Sequence, residues 1–297
     1  MTNKLIKKLD NNSSNNRLFI IGGIILLAVG IGLWFNSIYL SPTNIFWDSF
    51  SNDLSTVGFT KEINNSTSQT SVKQAVQIVF SGTSYAHSIT TLTQSGTTVV
   101  TEEINSPESE YVRYLNIASN NKDSKTYAPV LNLWGYQNST RDSGAQSTRT
   151  FYQTIFGILP FGNLTPEQRD KMLNIAKQQK VYSINSKEVV HETIKGKKVD
   201  TLKVNVNLKG YIKLMKALAE YVGFKGLDGI DPSQYSSQKP VPVKISIEPI
   251  SRNLVQIDNG TSTGKSQYSG FGADPMISLP KDKISLTELE KKVQAIK

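Results

Sequence analysis

This sequence predicts an α+β fold: an antiparallel β-sheet covered by helices and carried outside a membrane on one N-terminal transmembrane helix. Three observations predict it. An apolar block runs from Leu18 through Phe35 without a charge. Beyond it, segments with a period of two recur between segments with a period near 3.6. The links between the period-two segments are mostly hairpin-sized, which antiparallel neighbours need and parallel ones cannot use.

The apolar block comes first. Leu18 to Phe35 as a helix would rise about 27 Å at 1.5 Å per residue, close to the roughly 30 Å of a hydrocarbon core. Asn36 to Leu40 add length for tilt, so the span is assigned to 18–40. Lys4, Lys7, Lys8 and Arg17 stand against the single Asp10, a net of +3, and no basic residue follows the block until Lys61. That asymmetry puts residues 1–17 in the cytoplasm and residues 41–297 outside it, as a single-pass protein of the cell membrane. A cleaved signal peptide would require small residues after the apolar run, and Leu33, Trp34, Phe35, Ile38 and Tyr39 stand there instead. With no Cys in the chain, lipidation through a thiol is excluded.

The outer part opens with Ser41-Pro42, an N-cap and a Pro at N1, after which Phe46, Phe50 and Leu54 recur one turn apart in a short helix. Residues 63–72 read as polar and turn-rich. Val76, Ile78 and Phe80 then mark a strand, followed by strands at 87–93, 98–104 and 110–117, the first two of these three closed by Gln94-Ser95-Gly96. Residues 118–180 read as an insertion: a polar stretch with an apolar island at 130–136, a short helix at 151–159, and a helix opened by the capping box of Thr165-Pro166-Glu167-Gln168.

The second half repeats the alternation. A strand at 187–194 turns at Lys195-Gly196-Lys197 into one where Leu202, Val204, Val206 and Leu208 alternate with Lys203, Asn205 and Asn207. Tyr211, Leu214, Met215, Leu218 and Val222 form the apolar face of a helix that stops at Gly223. Strands at 241–248, 254–258 and 265–271 follow, and Ser285-Leu286-Thr287-Glu288 caps a last helix with Leu286, Leu289, Val293 and Ile296 facing inward.

Composition narrows the function. The chain has 297 residues and a net charge of +9, which leaves +6 outside the membrane, spread without a basic arm or basic-aromatic interleaving. Nucleic acid is therefore not an expected partner. The two histidines, His87 and His191, lie in separate predicted strands with no second His and no Cys nearby, so neither a catalytic group nor a metal site is expected. Asp228 and Asp231 share a loop but lack the spacing of a calcium loop. Neighbouring acids such as Glu102 and Glu103 point to opposite faces of a strand and cannot share a proton. The expectation is a protein that is not an enzyme and carries no cofactor.

The opening helix at Phe46 to Leu54, the meander from Val76 to Ile117, the strand-to-helix step from Leu202 to Val222, and Ile277-Ser278-Leu279-Pro280 before a short helix form one ordered pattern. In that order the outer part resembles the Lol-type lipoprotein carriers and the related lipid-carrying surface lipoproteins. The resemblance implies a curved antiparallel half-barrel covered by helices, with acyl chains held between them. It also implies a pocket lined by Val204, Val206, Leu214, Leu218, Val243 and Ile245. The functional expectation is a membrane-tethered protein that binds an apolar or amphiphilic ligand, a lipid or a lipoprotein. The alternative is a structural module of the cell envelope that meets a partner protein or an anionic wall polymer.

Overall fold

The computed structural model describes residues 38–119, 124–138, 149–261 and 264–296. Most of the span assigned to 18–40, residues 18–37, lies outside them. Among the described residues no helix is long and apolar enough to cross a membrane.

The chain runs α1 (Pro42–Asp53), β1 (Gly58–Ser66), β2 (Thr70–Val79), β3 (Tyr85–Gln94), β4 (Thr97–Asn105), β5 (Ser109–Ser119), β6 (Gly135–Asn138), α2 (Arg149–Ile155), α3 (Pro166–Gln178), β7 (Tyr182–Ile194), β8 (Lys197–Val206), α4 (Leu208–Tyr221), β9 (Val241–Ile247), β10 (Leu254–Asp258), β11 (Lys265–Ser269), β12 (Ile284–Ser285) and α5 (Leu286–Gln294). The twelve described strands form one sheet, ordered β12-β6-β5-β4-β3-β2-β1-β11-β10-β9-β8-β7. All pairs are antiparallel except β12 with β6. Two meanders, β1–β6 and β7–β11, thus meet where β1 pairs with β11.

The tight turns explain the registers. Ser95 and Gly96 have φ of 48° and 78°, and Lys195 and Gly196 have 49° and 80°. Two successive positive φ values suit the twist of a two-residue hairpin. Helix starts are equally local. Ser41 accepts from the Asn44 amide, and Thr165 and Gln168 form a reciprocal capping box.

Residues 63–72, expected to be turn-rich, are instead mostly strand: β1 reaches Ser66 and β2 begins at Thr70. Thr60, Lys61, Glu62, Asn64 and Asn65 carry no apolar alternation, yet their backbones are paired on both sides by β2 and, as far as Ile63, by β11. Strand β6 overlaps only the end of the apolar island at 130–136 and was equally invisible to periodicity, being four residues long. The stretch 118–180 also supplies α2 and α3, whose Phe151, Ile155, Met172 and Ala176 are buried in the core.

One face of the sheet is covered by helices. Phe46 and Phe50 of α1, Met172 of α3, and Leu214 and Leu218 of α4 join Phe59, Ile78, Leu202, Ile245 and Leu254 from the strands in one buried cluster. Rings organise its centre: Phe59 stacks on Phe161 at 4.1 Å, and Tyr182 meets Phe46 and Phe50 edge-on at 5.2 and 5.5 Å. Asp53 ends α1 wholly buried, both carboxylate oxygens without a partner, and burial raises its pKa well above the ordinary value.

Candidate functional site

The six residues that the resemblance named as a pocket lining lie together in the buried core. Val204 and Val206 of β8, Leu214 and Leu218 of α4, and Val243 and Ile245 of β9 are each 0–4% exposed and belong to the same cluster as Phe46, Met172 and Tyr182. Their surroundings are side chains packed at core burial. Helix α4 is drawn close by Asn207, whose side chain accepts from the Gly210 amide at 3.0 Å. A Cβ at Gly210 would stand 2.8 Å from the Gln179 carbonyl oxygen, so glycine sets that approach. Val204 and Val243 also border a recess of about 580 Å³, shared with Asn185, Glu188, Lys203, Asn205 and Lys244.

A more apolar groove lies at the other end of the covered face, beneath α5. Register places Leu92, Val99 and Ile117 in one row across β3, β4 and β5, and Thr90, Thr101 and Tyr114 in the next. Val293 and Ile296 close it from above and Tyr127 from the side, around a volume of about 470 Å³. That lies within the roughly 300–1,000 Å³ of small-molecule sites. Sequence periodicity had found the strands and the inward face of α5. What it could not supply was the pairing of α5 with the first meander.

The position of α5 follows from three local features. Ser285 caps it, accepting from the Glu288 amide at 3.1 Å. Ile284 and Ser285 pair with Gly135 and Tyr136 of β6, and the Lys283 ammonium sits over the Tyr136 ring at 4.2 Å. Leu289, fully buried, then lies where a side chain at position 135 would be: a Cβ there would come within 2.8 Å of Leu289 Cδ2.

Acids sit beside this helix. Burial, and then the charges of Glu103 and of Glu290 on α5, push the Glu110 carboxyl up to about 7. The Gln137 side-chain amide donates to it at 3.4 Å. Burial and the same two glutamates also raise the Tyr114 phenol.

The opposite face of the sheet holds a charged cluster. Glu102 accepts from His87 Nε2 at 2.8 Å and pairs with the Arg113 guanidinium at 2.5 Å, which in turn lies over Trp134 at 4.6 Å. The segment around Met276 to Pro280 covers a recess of about 330 Å³ beside it. His191 is likewise paired, Nδ1 to Asp200 at 2.7 Å. Both histidines are thus held by carboxylates. Among the described residues no group of three His, Asp or Glu is placed to hold a metal. In the 228–231 loop the Lys216 ammonium donates to the Asp228 and Ile230 carbonyls, while Asp231 caps Ser233.

No family model and no curated protein matches this chain. Among solved structures, the crystal structure of LprF from Mycobacterium bovis is similar over 80% of this chain and 95% of that one, with 14% identity and a TM-score of 0.40.

Proposed function

We propose that this protein is a single-pass, extracytoplasmic protein of the cell membrane that binds an apolar or amphiphilic ligand, a lipid or a lipoprotein, without chemical conversion. The observation that carries the reading is the groove beneath α5, where Leu92, Val99, Ile117, Val293 and Ile296 leave apolar surface around about 470 Å³. A concave, mostly apolar recess of this volume is the usual form of a small-ligand site. In this reading the sheet acts as a half-barrel whose covered face is divided. The second meander is filled by helices α1 to α4, and the first keeps room for a chain. The uncharged block Leu18 to Phe35 supplies the tether.

The test is native mass spectrometry of the full-length chain released in mild detergent, together with binding of an apolar fluorescent dye. Co-extracted lipid and dye binding are expected, and Ile117→Trp, which fills the groove, should weaken dye binding while leaving the far-UV spectrum unchanged. Absence of both lipid and dye binding overturns the reading.

A second reading, an interaction module for a partner protein or an anionic wall polymer, is favoured by the filled core around Val204 and Leu214 and by the +6 outside the membrane. Salt-sensitive co-sedimentation with isolated cell walls would support it.

A further inference from the structure

The covered face contains a lysine without a partner. Lys61 of β1 lies opposite Val76 of β2 and Tyr268 of β11, both buried, so register places it on the face that bears the helices and the groove. It is half-buried and enters no ion pair or hydrogen bond among the described residues. Its neighbour Glu62 points to the other face and is taken by Lys195 at 2.6 Å. Burial lowers the Lys61 pKa. An unpaired cation removed from water is costly, and folded chains rarely keep one without use.

A line of polar groups connects this lysine to the groove. Gln74 is the diagonal neighbour of Lys61 across β1 and β2, at a spacing of roughly 7–8 Å between backbones. The Gln74 amide donates to the Thr90 hydroxyl at 3.0 Å, and Thr90 lines the groove. Beyond Val76 in the Lys61 row lies Ser88, 1% exposed, its hydroxyl also without a partner. The row passes through Glu103 on β4, three strand spacings or about 14 Å from Lys61, and on to Val112 of β5.

We propose that Lys61 recognises the headgroup of the ligand, which is therefore a negatively charged amphiphile: its tail lies beneath α5, and its anionic oxygens meet Lys61 with the Gln74 amide. The proposal rests on the binding reading above and narrows it. An anionic phospholipid and a free fatty acid share this chemistry.

The full-length chain in non-ionic detergent is titrated by native mass spectrometry with phosphatidylglycerol, palmitate and phosphatidylcholine. The expected result is preference for one or both anionic lipids, and which one binds identifies the source of the charge. Lys61→Met is expected to lose roughly tenfold to hundredfold in anionic-lipid affinity, the range for a hydrogen bond to a charged group. It should leave the neutral lipid unchanged and raise the melting temperature, because it removes an unpaired charge. Lys61→Gln gives the same lipid readout by an independent substitution, and Lys73→Gln, on the opposite face, is the control. Equal binding of all three lipids, or anionic binding untouched by both Lys61 variants, overturns the proposal while the apolar site stands. If no lipid binds, the site reading itself falls.

Discussion

The guanidinium of Arg252 lies over the Tyr39 ring at 4.3 Å and donates to the Tyr39 carbonyl at 2.6 Å. Its Nε reaches Asp48 at 3.1 Å, and the side chain is only 6% exposed. The residue adopts φ of 62° at the tip of the β9–β10 hairpin, a left-handed conformation that a non-glycine residue keeps only when its surroundings hold it. The hairpin therefore grips the chain where it enters α1. Arg252→Ala should cost about 2 kcal/mol, mainly from the lost bond to a charged donor. It should also speed proteolysis between Tyr39 and Pro42. Lysine should restore little, because it lacks the planar fork that stacks and bonds at once. Urea denaturation and a digestion time course check both.

Gly135 is the floor on which α5 rests. Adding one methyl at 135 drives into Leu289 Cδ2 at 2.8 Å and Leu286 Cδ1 at 3.1 Å, so the two leucines must shift and loosen the seat of the helix. Gly135→Ala is expected to destabilise by about 1–3 kcal/mol and to raise amide exchange selectively in α5. If the groove binds lipid, affinity should fall in the same variant.

The acids beside α5 give stability a pH dependence of definite sign. Burial, Glu103 and Glu290 hold the Glu110 carboxyl at about 7, above the ordinary 4.5, so the folded state keeps a proton that the unfolded chain releases. Stability from this group is full below about 4.5, declines as pH rises to about 7, and is absent above. Asp53, raised by burial alone, acts in the same direction. Glu110→Gln should flatten the decline, by about 1–2 kcal/mol after solvent screening is allowed for. Urea midpoints for both proteins across that window measure it.

The packing around β8 and α4 can be tested by volume. Were Val204 to face free space, a larger side chain would be tolerated. In the filled cluster Val204→Phe is expected to cost about 1–3 kcal/mol and Leu214→Ala about 2–5 kcal/mol. A neutral Val204→Phe would reopen the cavity that the sequence resemblance implied there.

Elements with strong local signals were legible in the sequence. Ser41-Pro42, the Thr165 capping box, the Ser95-Gly96 and Lys195-Gly196 turns, and the alternation through Val206 each determine conformation within a few residues. Strand β1 was not legible, because it owes its conformation to two neighbours rather than to its own pattern: Lys61 and Glu62 are polar on both faces. The groove was half legible. Leu92, Val99 and Ile117 lie in strands the sequence marks, but their meeting with Val293 depends on a two-residue parallel pairing between β12 and β6, which no local signal encodes.

The sheet stops abruptly at β7, thirteen residues long and paired on one side only. A free edge of that length offers a template on which a second molecule could add itself and polymerise. Lys187, Glu188 and Glu192 along it, and the bulge between Asn185 and Val189, disfavour such stacking. Removing those charges would leave an edge prone to building fibrils.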